Sequence, residues 1–426
     1  MSSRTGSSRA LRALLLLLLG GSLGFGGGEP APAVAQEIDR HLATKHDPAA
    51  VELTRYNFLE RYQYELEPDS LRYGSREHFE ELYPASYWEE RFSEVTNDDG
   101  SLAWRVSRDA MALITLYDVT GDFELLRRVR EYADAAMAER DDHSGNTDED
   151  GRSDPGWSTP RYGEGARRIY LVHSGLILQP ILEWAHRAPR DPAWTEADEE
   201  HRLRRIEECR ETMLYHDYQI AHEAPAGWMV YGTGREEQER KYKWQPFNRQ
   251  TFFARCFYLL AEMTGEEEYR DRARRLYRFF KDHLQLTRSG AYVWEYEPMR
   301  GPEVYPVVSC ADVSHATYTI APVLPACRDG FVFDSEDLPR FARTFTLYIH
   351  LGGGVFQTRV GCQPTFSDIY MPRIFAWLPL AESDPEVYRL LRSFLMGNVE
   401  KPRPLAIAYL IAYRPKGIHG IDTRAD

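Results

Sequence analysis

The segment CADVSHATYTIAPVL, residues 310–324, places acid–base side chains at the start of a long apolar run. Asp312 and His315 are three residues apart, so they share one face if the segment is helical, and a carboxylate can orient a neighbouring imidazole. Tyr318 follows three residues later and offers a phenol as a second proton carrier. Asp312 and Ser314 are equally explained as helix caps, whereas His315 lies inside the helix, where no cap is needed. The spacing favours acid–base chemistry at the beginning of a helix.

A helical hairpin recurs along the chain. Residues 108–137 and 248–280 each contain an apolar helix, a Thr-Gly-acid turn and an amphipathic, arginine-rich helix. Gly121 and Gly265 stand in these turns, where a left-handed residue ends a helix. The first helices of looser copies begin near residues 170, 312 and 368, and a further pair is predicted within residues 50–95.

The two helices of each hairpin differ in kind. The first is apolar on nearly every side, which predicts burial, and the second carries a charged stripe, which predicts one face in water. A ring of inner helices sheathed by outer helices satisfies both demands. The sequence therefore predicts an all-α fold, an (α/α) barrel or toroid of five to seven helical hairpins, with short β-hairpins in the loops at 227–232 and 291–298. We expect residues 36–426 to form this single catalytic domain.

Polar and aromatic residues stand at the head of all five predicted inner helices. In such a ring the inner helices run the same way, so their N-terminal ends meet at one mouth. The groups are, in chain order, Trp104, Arg105, Arg108 and Asp109; Arg161, Tyr162, Tyr170 and His173; Asn248, Arg249 and Gln250; Asp312, Ser314, His315 and Tyr318; and Asp368 and Tyr370. Helix dipoles and arginines make this mouth positive, which favours an anionic ligand even though the whole chain carries a net charge of −14.

The first residues predict export. Arginines precede a short apolar stretch, and small residues at Ala33 and Ala35 suit a signal peptidase, so we expect residues 1–35 to be a signal peptide. No later segment is long and apolar enough to span a membrane. The acidic net charge and the lack of a basic stripe argue against nucleic acid as a partner. We expect a secreted or periplasmic protein.

Neither the cysteines nor the acidic residues predict a metal centre or a cofactor. The five cysteines show no metal-binding spacing; an oxidising compartment permits one or two bridges, with Cys310 pairing with Cys327 or Cys362, but small core residues are favoured for most. The loop at 146–154 has calcium-loop offsets but lacks the closing glutamate, so a solvated loop is favoured. No dinucleotide or phosphate-binding glycine motif is present.

Two chemistries suit the residues at the mouth. In β-elimination on a uronic acid glycan, a base removes the proton next to the carboxylate, an Asn or Arg neutralises that carboxylate, and a Tyr protonates the leaving oxygen. In glycoside hydrolysis, two carboxylates flank the bond. Asp312 with Glu295, Glu297 or Asp109 would be such a pair. No pair stands out, which favours elimination.

Four stretches together carry a family resemblance. They are RRIYLVHSGLILQPILEWA, PFNRQTFFARCFYLLAEMTGEEEYRDRA, YVWEYEP and ADVSHATYTI. The chain from about 100 to 350 resembles bacterial exported (α/α)-barrel proteins that act on polysaccharides, and is similar to polysaccharide lyase family 38. Ala311 stands where that family pattern has an acid. The resemblance implies an (α/α)7 barrel, action on alginate or glucuronan, and elimination centred on Arg, Tyr and Glu at the barrel mouth.

The resulting hypothesis is an exported carbon–oxygen lyase that cleaves a uronate-containing, anionic polysaccharide, without a cofactor or metal. His315, Tyr296 or Tyr305 acts as base or acid, Asp312 orients His315, and Asn248 and Arg249 neutralise the carboxylate. The remaining candidates are His173 for catalysis and Trp104, Arg105, Arg161, Tyr162, Tyr170, Trp294, Arg300 and Tyr318 for binding. A glycoside hydrolase with paired carboxylates, a uronate epimerase and a non-catalytic glycan-binding toroid stay open as alternatives.

Overall fold

The computed structural model describes residues 75–93, 95–148, 150–163, 165–221, 228–229, 244–298, 310–352, 355–362, 371–398 and 402–415. These residues are mostly helical, and their strands are three antiparallel pairs of two residues each. The predicted all-α class with short β-hairpins is confirmed. The predicted signal peptide, the N-terminal part of the domain, Asp368, Tyr370, Arg300 and Tyr305 lie outside the described residues.

Fourteen α-helices are labelled here in chain order within that part of the chain. They are α1 Arg76–Leu82, α2 Ala85–Ser93, α3 Ser107–Thr120, α4 Phe123–Ala138, α5 Asp141–Ser144, α6 Leu171–Arg187, α7 Glu196–Tyr215, α8 Phe247–Thr264, α9 Glu267–Asp282, α10 Val313–Ile320, α11 Val323–Arg328, α12 Asp337–Arg343, α13 Pro385–Asn398 and α14 Pro404–Ala412. A 3₁₀ helix spans Met371–Glu382, and short π-helical turns at Leu102–Val106 and Thr344–Ile349 adjoin α3 and α12.

Six helices close into a ring. Helix α3 contacts α6, α6 contacts α8, α8 contacts α10, α10 contacts the 3₁₀ helix, the 3₁₀ helix contacts α14, and α14 returns to α3. The outer helices pack against this ring: α4 against α3 and α6, α7 against α6, α9 against α8, and α12 and α13 against the 3₁₀ helix. This is the predicted (α/α) barrel, with six inner helices among the described residues.

The burial of inner and outer helices differs as their sequences predict. In α6, every residue from Leu171 to Ala185 is buried, because the helix is surrounded by neighbours. In α9 only a stripe is buried, including Tyr269, Ala273 and Leu276, and the arginines between face outward. Between the paired helices, Gly121 and Gly265 adopt left-handed conformations with φ of 70° and 75°, as the turn pattern predicts.

Both predicted β-hairpins and one of the two expected pairings of Cys310 are present. Strand Tyr292–Val293 pairs with Gln285–Leu286, and Trp228–Met229 pairs with Ile220–Ala221. Cys310 is bonded to Cys362, which is one of the two pairings expected. Cys209, Cys256 and Cys327 are buried free thiols, as expected for core residues.

In the loop at 146–154, Asp148 forms a hydrogen-bonded ion pair with Arg152 at 2.8 Å. No cluster of metal-ligating side chains occurs within the described ranges. Of the helices that the structure describes, none has the length and apolar character that a membrane span requires.

Candidate functional site

The heads of four inner helices converge in space. Trp104, which precedes α3, lies with its ring 5.5 Å from His173 on α6 and 5.5 Å from Tyr318 on α10. Phe252 on α8 lies 6.2 Å from the same Tyr318 ring. Because α3 and α10 stand on opposite sides of the six-helix ring, the Trp104–Tyr318 contact crosses the lumen. We call the region on the helix-head side of this contact the N-terminal mouth.

An aromatic cluster lines one side of the N-terminal mouth. The Trp104 Nε1 donates a hydrogen bond of 3.0 Å to the Tyr162 hydroxyl, and Tyr162 is 48% exposed. The Tyr162 ring lies 5.5 Å from Tyr170 and 5.7 Å from His173 in edge-on contacts. The structure thus brings together four side chains that the sequence predicts at the mouth, and leaves Tyr162 accessible to a ligand.

His173 lies beneath these rings and is fully buried. Burial, together with the charges of Arg249 and Arg161, lowers its pKa to about 3, so the imidazole is neutral at ordinary pH. Asn97 Nδ2 lies 3.1 Å from Nδ1 and donates to it, which leaves the ring proton on Nε2. Nε2 has no hydrogen-bond partner among the described residues. A neutral, buried imidazole that carries its proton on Nε2 can donate a hydrogen bond, but it is not suited to take up protons from water.

Two adjacent acids at this mouth were not among the sequence-based candidates. Asp98 accepts a hydrogen bond from Arg167 Nη1 at 2.5 Å, and Asp99 accepts one from Arg105 Nη2 at 2.9 Å. Both carboxylate side chains are 58% exposed. The backbone carbonyl of Asp99 accepts a hydrogen bond from Arg161. A sequence signal exists, because the acids follow Asn97 directly and precede the first inner helix.

The local charges keep Asp99 ionised. A hydrogen bond from Ser101, with the nearby charges of Arg105 and Arg161, holds the pKa of Asp99 below its usual range. Arg105 and Arg161, both predicted for substrate binding, each donate a hydrogen bond to Asp99, Arg105 to its carboxylate and Arg161 to its backbone carbonyl.

Asp312, His315 and Tyr296 form a second group. Asp312 caps α10 by accepting from the backbone N–H groups of Ser314 and His315, both at 3.0 Å, and its other oxygen lies 2.5 Å from His315 Nδ1. Burial would raise the pKa of Asp312, but the contact with His315 outweighs it and the pKa is lowered. The Tyr296 ring lies 4.4 Å from the His315 ring. Asp312 is therefore both the N-terminal cap of α10 and the partner of the partly exposed His315 imidazole.

Asn248 and Arg249 head α8. Asn248 is buried, and its Oδ1 has no hydrogen-bond partner within the described ranges. Arg249 Nη1 donates to Gln245 Oε1 at 2.9 Å, and Gln245 donates to Gln219 at 3.1 Å. Arg249 also acts electrostatically on His173, so the head of α8 faces the head of α6.

Several sequence-based assignments need correction. Trp294 is fully buried against Phe280, Phe341 and Trp377, so it has no free face on which a sugar could stack. Tyr318 is also buried, because it closes the lumen instead of lining an open surface.

Of the three carboxylates predicted to partner Asp312, Glu297 is half-buried, and the other two, Asp109 and Glu295, are not suited to hydrolysis. Asp109 is buried and paired with Arg91 at 2.8 Å, and burial raises its pKa. Glu295 is buried beside the Cys310 backbone. Neither residue offers an exposed carboxylate at the N-terminal mouth.

No family model and no curated protein matches this chain. The solved structures that match include an inactive variant of the α-1,6-mannanase GH76A of Salegentibacter sp. HEL1_6 in complex with α-1,6-mannotriose. The identity is 11% and the TM-score 0.46, over 79% of this chain and 98% of the mannanase. At this level the similarity assigns neither a substrate nor a residue role to this chain.

Proposed function

We propose that the protein cleaves glycans at the N-terminal mouth, and that the reaction is glycoside hydrolysis. The observation that carries this proposal is the pair of exposed carboxylates on Asp98 and Asp99, next to the exposed ring of Tyr162. Glycoside hydrolysis requires two carboxylates at one sugar ring. This follows the alternative hydrolase hypothesis from the sequence but replaces its carboxylate pair.

The two acids are equally exposed but have different hydrogen-bond partners. Asp99 is held in its ionised form by Ser101 and two arginines, which suits a nucleophile or general base. Asp98 is the proposed proton donor. Because Asp98 pairs with Arg167 in this structure, its role requires that the bound sugar displaces that arginine. The exposed ion pair is weak enough for such an exchange, since pairs of this kind contribute about 0–1 kcal/mol.

The proposed substrate is an anionic polysaccharide. Arg105, Arg161, Arg167 and Arg249 surround the mouth, and the heads of the inner helices add partial positive charge. Tyr162 and Trp104 provide ring faces for the apolar side of a sugar. Carboxylates on the glycan would take over arginines that are now paired with Asp98 and Asp99.

The test measures new reducing ends with a panel of neutral and uronate-containing glycans. Asp98→Asn and Asp99→Asn should each lower turnover by about 100-fold or more, because each removes one of the two required carboxylates. Glu124→Gln on outer helix α4, where Glu124 pairs with Arg127, is the matched control and should leave turnover unchanged. Wild-type rates in both aspartate variants would overturn the proposal.

β-Elimination is a second candidate, and the Asp312–His315–Tyr296 group is the observation that favours it. His315 would act as the base, Tyr296 would protonate the leaving oxygen, and Asn248 with Arg249 would neutralise the carboxylate. Elimination leaves a conjugated double bond that absorbs ultraviolet light, whereas hydrolysis leaves none. Absorbance that rises in wild type and is lost in His315→Gln would select elimination. A uronate epimerase would change the sugars without creating ends, and a binding toroid would do neither.

We also propose that the mature chain is exported after cleavage behind Ala35. The Cys310–Cys362 disulfide supports this, because disulfides persist in oxidising compartments. N-terminal sequencing of the protein recovered outside the cytoplasm should begin at Gln36. A retained leader and reduced Cys310 and Cys362 would contradict it.

A further inference from the structure

The lumen contains a second cavity on the far side of Tyr318. Its volume is about 320 Å³, and it is lined by residues from five of the six inner helices and by Ala321, which directly follows the sixth, α10. Arg108 belongs to its lining and places its guanidinium 5.3 Å from the centre of the Tyr318 ring. We call this cavity the lower lumen. Tyr318, which is buried and contacts Trp104 on the mouth side, lies between this guanidinium and the N-terminal mouth.

The carboxylates at the centre of the lower lumen are already paired. Glu183 accepts hydrogen bonds from Arg255 at 2.8 and 3.1 Å and from Arg187 at 2.5 Å. Arg187 also donates to Asp118 at 2.7 and 2.9 Å. These acids and arginines neutralise one another, so they do not account for further positive charge in the cavity.

Two buried guanidinium groups retain capacity to bind an anion. Arg108 is 8% exposed, and no carboxylate in the described part of the chain forms an ion pair with it; the Tyr409 hydroxyl is within its reach. Arg255 has a side chain that is 7% exposed, and its Nη1 has no hydrogen-bond partner among the described residues. That Nη1 forms only a long ion pair of 3.8 Å with Asp329, whose side chain is 44% exposed. An arginine cannot lose its proton, so a buried guanidinium without an anion is costly.

Helix dipoles do not neutralise Arg108. The C-terminal ends of the inner helices carry partial negative charge and compensate for cations near those ends. Arg108, however, lies near the beginning of α3, which continues the π-helical turn Leu102–Val106, so it is far from the C-terminal end of its own helix. Its charge is therefore unbalanced by protein groups in the part of the chain that is described.

We propose that the lower lumen binds a small oxyanion, a carboxylate or a phosphate, between Arg108 and the Nη1 group of Arg255. A guanidinium presents paired N–H donors whose spacing matches two oxygens of a carboxylate or phosphate. The volume is sufficient for a small organic acid but not for a glycan chain. This site is separate from the proposed glycan site, and its binding is measured without a glycan, so either proposal can fail alone.

The test is the melting temperature of the purified protein, titrated with phosphate or with acetate at constant ionic strength set by chloride. A ligand that binds only the folded state raises the melting temperature in proportion to the logarithm of its concentration. We expect a rise of about 2 °C at ten times the dissociation constant for at least one of the two ions. The ion with the larger effect identifies whether the natural ligand is a carboxylate or a phosphate.

Two substitutions on neighbouring turns locate the effect. Arg108→Met removes the charge at similar length and should abolish the rise. Arg105→Gln, one turn earlier and at the N-terminal mouth, should retain the rise. The proposal is overturned if neither ion stabilises the wild type, or if Arg105→Gln loses the rise as fully as Arg108→Met.

A second measurement does not depend on the variants folding. Crystals of the wild-type protein soaked in bromide should show an anomalous peak in the lower lumen beside Arg108. A lumen without bromide, in crystals that bind it elsewhere, would also overturn the proposal.

Discussion

The two ends of the lumen are built from the same inner helices but use their charges in opposite ways. At the N-terminal mouth, the pair of Asp99 and Arg105 is 58% and 51% exposed. In the lower lumen, the pair of Glu183 and Arg255 is 3% and 7% exposed. An exposed pair contributes little and exchanges partners easily, whereas a buried pair cannot be opened without leaving a charge in a medium of low dielectric. The mouth is thus arranged for exchange with a substrate, and the lower lumen for permanence.

The Tyr318 ring lies between the N-terminal mouth and the lower lumen. Tyr318 contacts Trp104 on the mouth side and Arg108 on the other. Tyr318 is buried and Trp104 is half-buried, so this contact restricts water between the two regions and allows their electrostatic environments to differ. We therefore expect substitutions in the mouth to change activity more than stability, and substitutions in the lower lumen to do the reverse.

The largest expected effect is that of Glu183→Gln. This change leaves the buried Arg255 and the half-buried Arg187 without their shared anion, and we expect a loss of about 3–5 kcal/mol in the free energy of unfolding. Burial would raise the pKa of Glu183, but the two arginines hold it well below its usual range, so the lost interaction is that of an ionised group. Urea unfolding measures the change.

The matched control for Glu183→Gln is Asp99→Asn in the mouth. Because this carboxylate is exposed, its replacement should change stability by less than about 1 kcal/mol. Equal losses in the two variants would remove the contrast between the two ends of the lumen.

Next in size is the effect of the disulfide. Replacing Cys310 and Cys362 together by serine should lower stability by about 2–4 kcal/mol, because the bond closes a loop across a sequence separation of 52 residues. The bond lies close to the backbone of Asp312, where Val313 N–H donates to the Thr358 carbonyl at 2.8 Å. Urea unfolding gives the loss. A double variant as stable as the wild type would show that the packing around Cys310 alone holds this segment.

The helices and their meeting point were predictable, because they rest on periodic signals. Apolar helices followed by charged ones define inner and outer positions, and Gly121 and Gly265 mark the turns. The convergence of Trp104, His173 and Tyr318 follows from helix direction alone, since heads of parallel helices share one end of a ring.

Residues placed by tertiary contacts were not predictable. Trp294 and Tyr296 alternate along one short segment, yet Trp294 is buried by Phe280, Phe341 and Trp377, which are distant in sequence. Local pattern does not reveal such partners. Asp98 and Asp99 lie in a loop, where no periodicity exists to mark them. Arg108 was grouped with the mouth by its position in the chain, but one helical turn places it beyond Tyr318.

The pH dependence of stability sharpens the comparison further. His173 has its pKa lowered to about 3 by burial, while the unfolded chain takes up its proton near 6.5. Its stabilising contribution is therefore complete above 6.5 and is lost as the pH falls towards 3. Lowering the pH from about 7.5 to about 5.5 should therefore reduce the contribution of His173 to the free energy of unfolding by about 1.4 kcal/mol. The pKa of Glu183 is also lowered, so its contribution to stability is lost only when the pH falls below the ordinary value of 4.5. As the pH falls, the contribution of His173 at the mouth is therefore lost before that of Glu183 in the lower lumen.

Urea unfolding of wild type and His173→Gln at several pH values measures this difference. His216 has the same low pKa of about 3 and adds to the slope in both proteins. Asp141 acts in the opposite direction between about 4 and 6, because burial raises its pKa to about 6. Only His173 differs between the two proteins, so their difference isolates it. Parallel pH profiles would mean that His173 is hydrated in solution.

The smallest effect compares one tyrosine at each end of the lumen. Tyr162→Ala removes the exposed ring at the mouth and should raise the KM for the glycan about fivefold, equivalent to about 1 kcal/mol of stacking. Tyr258→Ala removes a ring that lines the lower lumen and lies 5.5 Å from the Arg255 guanidinium, and should leave KM unchanged. Initial rates over a range of glycan concentrations measure both values. If Tyr258→Ala raised KM as much as Tyr162→Ala, the glycan would have to reach past Tyr318, and the lumen would be one continuous site instead of two.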